Sequence, residues 1–501
     1  MASIKKNLLC LLIVTVICTS ISAQVDSSKQ VVDTLETPSP AGPDKFDLDT
    51  LNKPVSDSIF ILRHITILGN KITRKQIITR ELPFKEGDTL NIRDVPALFA
   101  RGKSQVLGLS LFSTSGRDFS IAVDDYDGIY MDVVITVKER WYLLPAPHLR
   151  PVDRSLSEWL FQNNAQISRL DYGLKATYNN ATGNNDKLKL QFVTGYTKQL
   201  GFSYHRPYID KNLKWGINIG FSIGKTHEIA AGTNIDSNRI IFLNDRDNYL
   251  RNFSKGYLEL THRPKLYTTH IFGLGYQSLR VADTVLRFNP DFLKHGQTEV
   301  RFPEVYYKLI YQKLNLRQYP TKGYAAELYA LKQGMNSKMN VWQLTAKGIG
   351  YFPTKIPLTF YSIAALGSVK LPLKQPYYTS QLLGYGDLTM GGYEYYVIDG
   401  TAGGLVKATI ARQIANFSFA PPIFKKNLAS LIPFKIYGKA FGNVGYAHNP
   451  QPWASRLNNR MLYGIGLGFD IFTDYDFTLR LEFSFNHVGE SRFYSEKKTT
   501  F

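Results

Sequence analysis

From about residue 141 to the C-terminus, the chain consists of strand-length segments in which apolar residues alternate with small or polar ones. Between Lys214 and Gly224, every second residue is Trp, Ile or Phe, and the residues between them are Gly, Asn or Ser. Because successive side chains of a strand point to opposite faces, each segment has one apolar and one polar face. The pattern fits a soluble β-sandwich, or a transmembrane barrel that is apolar toward lipid and polar toward its lumen.

We predict about 16 strands between residues 141 and 501, each near the length of a tilted membrane-spanning strand. We find no later segment with the roughly 20 consecutive apolar residues of a membrane helix. Tyr and Phe far outnumber Trp, which fits aromatic girdles, although ordinary β-propensity also favours aromatic residues. Lipid admits only helices and closed barrels. For an exported chain, the pattern therefore predicts a mainly β fold with a C-terminal transmembrane antiparallel β-barrel.

The first 23 residues have the three zones of a secretory signal peptide. Lys5 and Lys6 precede an apolar run, Leu8–Ile17, and small residues follow as far as Ala23. We therefore predict that residues 1–23 direct export and are cleaved near their end. The alternative is a membrane anchor, for which the apolar run is short.

The composition of the chain limits the kinds of binding site and catalytic site that we expect. Both cysteines, Cys10 and Cys18, lie in the predicted signal peptide, so we expect no disulfide or thiolate metal site in the mature chain. The formal net charge of +19 is dispersed along the chain, which favours contact with anionic lipid headgroups, or a solvated cationic lumen, over nucleic acid. We find no nucleophile elbow, zinc motif or phosphate-binding loop. We expect no enzymatic activity, no metal and no cofactor.

Two segments precede the predicted barrel. Residues 24–57 are polar and contain a Pro-rich stretch, which predicts a flexible linker. Residues 58–140 predict a small α/β module with Thr73 as the N-cap of its first helix. Asp-Gly within Asp124–Gly128 predicts a hairpin turn, and the spacing of a calcium loop is absent. The predicted elements are a strand at Ile59–Leu68, helices at 73–80 and 92–106, and strands at 118–123 and 129–138.

The module resembles a POTRA (polypeptide-transport-associated) domain over its whole length, in one copy. The matching positions include Gly69, Asn70, Glu81, Leu82 and Gly87. The resemblance implies a periplasmic docking site at which a partner strand pairs with an exposed sheet edge, a mode that selects little for side chains. A module that only seals the mouth of the barrel is the alternative.

Together with the barrel, the module resembles the outer-membrane protein assembly and translocation superfamily over nearly the whole mature chain. The resemblance is most specific in residues 383–400, where the family has a loop that folds back into the lumen. The tip of that loop carries an aliphatic-Arg-Gly-aromatic sequence. Met390, Gly392 and Tyr393 match this sequence, whereas Gly391 stands at the arginine position.

The missing arginine has a physical consequence. A guanidinium would pin the loop to inward carboxylates through charge-assisted bonds, whereas Gly391 cannot do so and adds backbone freedom. Asn443 stands where the family often has aspartate. We expect Tyr393 and Glu394 to anchor the loop. The resemblance and the strand alternation assign further residues: Asp399 and Gly400 to the loop motif; Asp470, Arg480 and Glu482 to the lumen; Phe501 to a C-terminal assembly signal.

Two functional readings remain open, both in the outer membrane of a Gram-negative bacterium with the N-terminal domain in the periplasm. In the first, the protein inserts, assembles or translocates outer-membrane proteins by templating strands at a barrel seam. Its partners would be membrane lipids, unfolded outer-membrane protein clients, or periplasmic and lipoprotein subunits. In the second, a structural subunit, secretion pore or surface antigen kept the architecture without insertase activity.

Overall fold

The computed structural model describes residues 59–113, 118–151, 159–160, 164–210, 212–245, 247–316, 319–385, 389–419, 432–451, 455–473 and 477–498. Two compact units are distinguished by their internal contacts. The first comprises residues 1–146 and 175–189, and the second comprises residues 147–174 and 190–501. The predicted signal peptide, the predicted linker segment and Phe501 lie outside the described residues.

A four-stranded sheet with the order β2-β1-β4-β3 forms the centre of the first unit. Strands β1 and β4 pair in parallel, and the other pairs are antiparallel. Its elements are β1 Ile59–Leu68, α1 Lys75–Thr79, β2 Thr89–Asn91, α2 Val95–Leu107, β3 Phe119–Asp127 and β4 Tyr130–Val137.

Period-two alternation places one face of this sheet in the core. Leu62 in β1 and Val133 and Ile135 in β4 are fully buried, as are Ile77 in α1 and Val106 in α2. Burying an aliphatic side chain contributes about 1.5–3 kcal/mol. These contacts explain how two short helices are held against four strands.

Two local predictions for this module are wrong. The first helix begins at Lys75, and Arg74 occupies the N-cap position without a side-chain hydrogen bond. The hydroxyl of Thr73 instead lies 3.0 Å from the hydroxyl of Tyr142 and accepts a hydrogen bond from Asn180. The predicted break after the helix is followed by β2, which pairs with β1 and delays the second helix to Val95. The order is therefore β-α-β-α-β-β rather than β-α-α-β-β.

A 16-stranded sheet accounts for most of the second unit, and a separate hairpin of β10 and β11 is inserted between β9 and β12. The sheet order follows the chain from β5 to β22, and the described registers are antiparallel. The predicted mainly β fold is confirmed. The strands are β5 Leu143–Pro151, β6 Leu170–Asn179, β7 Lys187–Gly195, β8 Thr197–Arg206, β9 Trp215–Thr226, β10 Glu228–Thr233, β11 Ile240–Asn244, β12 Arg251–Lys265, β13 Thr268–Val281, β14 Glu299–Leu314, β15 Gly323–Gln333, β16 Val341–Pro353, β17 Thr359–Leu371, β18 Ala402–Phe419, β19 Ile432–His448, β20 Met461–Thr473, β21 Phe477–Asn486 and β22 Ser491–Lys498.

Strand β20 illustrates how the wall of the barrel is built. Tyr463, Ile465 and Leu467 are each more than half exposed, whereas Leu462 and Asp470, on the other face, are buried. A soluble protein would hide such a continuous apolar face, while a membrane barrel turns it toward lipid. The polar or small residues of the same strand therefore line the interior.

Because antiparallel strands alternate in direction, the β9–β12, β13–β14 and β17–β18 connections lie at the same end of the strands. Helix α3, Asp283–Phe288, packs there against the β10–β11 hairpin and the segment after β17. Among the described residues, 3-10 turns occur at Ile167–Arg169, Lys294–Gly296 and Tyr377–Thr379. We call this end the loop-side cap. Its buried apolar cluster includes Ile229, Leu250, Val285, Phe292, Phe302 and Tyr377.

Among the residues that the structure describes, no helix is both long and apolar enough to span a membrane.

Candidate functional site

The segment between β17 and β18 is called here the lumen loop, and its described residues, 372–385 and 389–401, fold back onto the buried face of the strands. Leu383 and Ile398 form an antiparallel bridge with reciprocal backbone hydrogen bonds of 3.0 Å. The amide of Gly400 donates to the carbonyl of Ser380 over 2.6 Å. These bonds close the base of the loop. Its described tip, residues 389–396, therefore projects as a unit into the interior.

The tip is held by backbone hydrogen bonds at Gly391. The side-chain Oδ1 of Asn443 accepts from the Gly391 amide over 2.6 Å. The Nδ2 of the same side chain donates to the carbonyls of Gly391, at 3.2 Å, and Gly464, at 2.6 Å. One amide side chain thus satisfies both backbone groups of the tip glycine and joins it to β20.

This geometry explains why Asn443 and Gly391 occur together. An aspartate at position 443 would be ionised at neutral pH and could not donate to the two carbonyls. A Cβ added to Gly391 would lie 2.5 Å from the ring of Phe441. A Cβ on Gly464 would lie 2.1 Å from the Gly391 carbonyl oxygen. The expectation that Gly391 merely adds backbone freedom is therefore incomplete, because both of its backbone groups are fixed.

Tyr393 and Glu394 flank this contact on the side of β21. The Tyr393 side chain is 1% exposed, and its hydroxyl contacts the ring of His487 and the carbonyl of Tyr463. Glu394 accepts from the Gly392 amide at 2.9 Å and from the Ser484 hydroxyl at 3.2 Å. The two residues predicted as anchors are thus both attached to neighbouring groups.

Met390 and Gly392 complete the tip. Met390 is buried in an apolar cluster with Leu405 and Leu462. Gly392 has a φ of 87°, a left-handed conformation that glycine adopts without steric cost. Its carbonyl accepts from the side chain of Asn486 at 2.9 Å. The turn at Gly392 therefore separates Met390, which packs in the apolar cluster, from Tyr393 and Glu394, which lie on the side of β21.

Charged residues of four strands, β18 to β21, form a buried cluster beside the tip, which we call the wall cluster. The Nζ of Lys439 lies 2.6 Å from a carboxylate oxygen of Asp470 and 2.7 Å from one of Glu482. Arg480 approaches the same two carboxylates at 3.4 and 3.5 Å, and Lys407 lies 3.5 Å from Glu482. The structure therefore brings Asp470, Arg480 and Glu482 together and adds two lysines.

Lys439 and Lys407 are not among the lumen residues predicted from the sequence, although the sequence contains a signal for Lys439. It lies four residues before Asn443 on β19 and therefore points to the same face. Lys407 is paired with Asn443 across β18 and β19. The inward carboxylates thus have cationic partners on the wall of the barrel. An arginine in the loop is not needed to neutralise them.

A second inward segment reaches the wall cluster from the opposite end of the strands. Tyr319, in the β14–β15 connection, donates to Asp470 at 3.0 Å. Its ring centroid lies 4.4 Å from that of Tyr437, and Phe360 and Phe472 pack around it. No periodic pattern in the sequence marks this residue, because it lies outside a strand.

Asp399 and Gly400 lie at the base of the loop rather than at its tip. Asp399 accepts from the hydroxyls of Tyr385, at 3.1 Å, and Thr233 of β10. The neighbouring Val397 exchanges hydrogen bonds with Asn238, close to the β10–β11 hairpin. These residues therefore join the lumen loop to the loop-side cap, whereas the tip residues join it to β19, β20 and β21.

The motif residues of the small module occupy structural positions. Gly69 and Gly87 have φ values of 89° and 92°, and the Gly87 amide donates to Leu62 at 2.7 Å. The side chain of Asn70 donates to the carbonyl of Thr73 at 2.9 Å. Glu81 and Leu82 are buried beside them. The motif thus shapes the turns around α1.

Strand β3 is one edge of the module's sheet, and β2 is the other. All residues of β3 from Ala122 to Asp127 are exposed. Next to it, Arg63 forms a hydrogen bond of 2.6 Å with Asp132, and this guanidinium lowers the pKa of the Asp132 carboxyl. The backbone of an exposed edge strand can pair with a further strand.

Comparisons with known proteins agree with this architecture. A family model described as the Omp85 superfamily domain matches residues 180–473, more than half of the chain. A second, a POTRA model described as "Surface antigen variable number repeat", matches residues 60–140. No curated protein matches the chain in sequence.

Two solved structures share the fold. The crystal structure of BamA from Haemophilus ducreyi lacking POTRA domains 1-3 has a TM-score of 0.51 at 13% identity and covers 88% of this chain and 85% of its own. CdiB from Escherichia coli has a TM-score of 0.52 at 13% identity and covers 88% of this chain and 76% of its own.

Proposed function

Because the chain belongs to the Omp85 superfamily, we propose that it inserts, assembles or translocates outer-membrane proteins by templating their strands at a seam of its barrel. The family relationship supports a place in the outer membrane of a Gram-negative bacterium. Unfolded outer-membrane proteins are the proposed clients. The process needs no covalent chemistry, since strand pairing and burial in lipid supply the free energy.

One observation carries this proposal: three of the five residues whose backbone groups face the outer edge of β5 are prolines, which have no N–H to donate. The amide of Asn179, in β6, donates to the carbonyl of Tyr142. Backbone groups of alternate residues point to opposite edges of a strand, so in β5 the odd-numbered residues point away from β6. Pro145, Pro147 and Pro151 are all odd-numbered, and proline has no N–H. Their missing donors therefore fall on the edge away from β6.

Fewer ladder hydrogen bonds weaken the pairing of a strand. A seam with missing donors is therefore one at which a client strand could compete for pairing.

We further propose that the small module lies in the periplasm and docks clients or partner subunits at the edge of β3. The exposure of that edge strand supports this role, because strand addition uses backbone groups that are unpaired. Sealing the mouth of the barrel is the simpler alternative. A docking role requires that blocking β3 reduces client capture while the barrel remains folded.

The absence of arginine at position 391 favours a second candidate, a structural or surface-antigen relative without insertase activity. The hydrogen bonds between Gly391 and Asn443 weaken the case for this second candidate, because they hold the loop tip without an arginine. A secretion pore is less well supported. The apolar cluster of the loop-side cap would have to separate before a chain could pass that end.

The proposal can be tested with the purified full chain in liposomes. A urea-unfolded small outer-membrane barrel is added, and its folded fraction is followed by the gel shift between unboiled and boiled samples. We expect faster folding than in empty liposomes. The double variant Pro145→Ala/Pro147→Ala should slow this folding several-fold, because it restores two donors at the outer edge of β5.

The matched control is Pro357→Ala, in the β16–β17 turn, which should fold clients at the rate of the unmodified chain. Equal client folding with and without the protein would contradict the insertase proposal. So would unchanged abundance and folding of all other outer-membrane barrels after depletion of the protein in cells.

A further inference from the structure

The hairpin of β21 and β22 determines which backbone groups of the last strand face outward. At its turn, the amide of Asn486 donates to the carbonyl of Glu490 at 3.0 Å, which makes these residues a hydrogen-bonded pair. Hydrogen-bonded and non-hydrogen-bonded pairs alternate along an antiparallel ladder. Phe493, which is paired with Phe483, is therefore in a non-hydrogen-bonded position. Its N–H and C=O point away from β21, to the outer edge of β22.

The carbonyl of Phe493 nevertheless has a donor from inside the barrel. The hydroxyl of Tyr395, at the tip of the lumen loop, donates to it over 3.1 Å. The Tyr395 side chain is 7% exposed, and the guanidinium of Arg492 lies 5.6 Å from its ring centroid. A loop side chain thus reaches the outer edge of the last strand of the sheet.

The neighbouring contacts hold Tyr395 in position. Tyr396 forms a hydrogen bond with Glu490, and Asn486 donates to the carbonyl of Gly392 at 2.9 Å. Both partners lie at the turn of the last hairpin, at residues 486–490. The loop tip is therefore attached to this hairpin on both sides of the tyrosine, and its hydroxyl cannot drift from the edge without breaking these bonds.

We propose that Tyr395 is an edge-capping residue: its hydroxyl occupies the carbonyl to which an incoming β-strand must donate when it pairs with β22. The partner is an extended polypeptide recognised by its backbone N–H groups rather than by its side chains. This inference rests on the proposed strand templating. It adds that pairing at the edge of β22 requires displacement of a residue of the lumen loop, which couples the loop to the edge.

Capping lowers the affinity of the edge for a strand by the strength of one hydrogen bond. The net contribution of such a bond corresponds to a factor of about 2 to 10 in an equilibrium constant. Replacing the tyrosine by phenylalanine keeps the ring and removes only the hydroxyl. The variant Tyr395→Phe should therefore bind an added strand about 2- to 10-fold more tightly.

Photo-crosslinking measures this directly. Benzoylphenylalanine replaces the exposed Phe493 in the full chain, purified in detergent, and a synthetic peptide copying residues 477–486 serves as the strand. We expect the half-saturating peptide concentration for crosslinking to fall about 2- to 10-fold in Tyr395→Phe. A peptide with N-methylated alternate amides should crosslink weakly to every variant, because it lacks the donors.

The matched control is Tyr307→Phe, which removes a phenolic hydrogen bond of 2.8 Å to His270 in another part of the sheet. It should leave the half-saturating concentration unchanged. Equal values for Tyr395→Phe and the unmodified chain would overturn the proposal. An equal change in both tyrosine variants would do the same, since it would reflect general loosening of the barrel.

A second measurement covers the case in which Tyr395→Phe does not fold. In the otherwise unmodified chain, 3-fluorotyrosine replaces Tyr395 and its fluorine resonance is recorded during titration with the peptide. We expect the resonance to shift as the hydroxyl leaves the carbonyl. An unchanged resonance at peptide concentrations that give crosslinking would overturn the proposal. Both measurements detect strand pairing rather than insertion, so they can succeed or fail independently of the insertase test.

Discussion

The loop tip and the wall cluster lie side by side in the barrel, yet they are stabilised differently. At the tip, Asn443 contacts Gly391 through neutral amide and carbonyl groups. In the wall cluster, Lys439 bridges Asp470 and Glu482 at 2.6 and 2.7 Å. One arginine in the loop could both attach the loop and neutralise the inward carboxylates. Here the loop-tip contact performs the first task and the wall cluster performs the second.

The difference predicts unequal sensitivity to substitution. A buried ion pair is costly to break from one side, because the remaining charge has no partner in a low-dielectric interior. A neutral hydrogen bond contributes less, about 0.5–1.5 kcal/mol. Stability should therefore depend mainly on the wall cluster, while the position of the loop should depend mainly on the tip.

The largest effect is expected for Lys439→Met. Removing this cation leaves Arg480 and Lys407, both more distant, to neutralise Asp470 and Glu482, so the free energy of unfolding should fall by about 3–5 kcal/mol. The urea midpoint of the detergent-refolded barrel, read from the gel shift of unboiled samples, measures the change. Lys355→Met, at an exposed turn, should not alter the midpoint. A similar midpoint for both variants would refute the central role of Lys439.

A smaller effect is expected for Asn443→Asp. The new carboxylate would face the carbonyls of Gly391 and Gly464 without a proton to donate, at a cost of about 1–3 kcal/mol at neutral pH.

The measurement is the urea midpoint of Asn443→Asp relative to the unmodified chain at neutral pH. An unchanged midpoint would mean that the hydrogen bonds donated by Asn443 to the two carbonyls do not stabilise the loop tip.

The smallest effect is expected for Gly391→Ala. The added Cβ would lie 2.5 Å from the ring of Phe441, which must shift to make room for one methyl group, so the cost should be about 1 kcal/mol. Faster protease cleavage within residues 389–396 should accompany it. Gly348→Ala is the matched control, because a Cβ there meets nothing within 4 Å. Equal cleavage rates in the two variants would show that the space at Gly391 is not restrictive.

Much of the fold could be predicted from the chain because strand alternation is a local property. The exposed Tyr463, Ile465 and Leu467 on β20 follow from period two, as does the inward position of Asp470. The lumen loop was located by its resemblance to a family motif. Element boundaries are less predictable. The local sequence predicts Thr73 as a helix cap, whereas its hydroxyl accepts a hydrogen bond from Asn180, 107 residues away.

The amino-acid sequence by itself determined the strands, their two faces, the small α/β module and the place of the loop, because each depends on residues close together in the chain. Only the tertiary structure decided that Asn443 holds Gly391, that Lys439 neutralises the inward acids and that Tyr319 reaches them from the other end. These contacts depend on strand register and on the path of the loop. Register is set cooperatively by the whole sheet, so it cannot be read from any one segment.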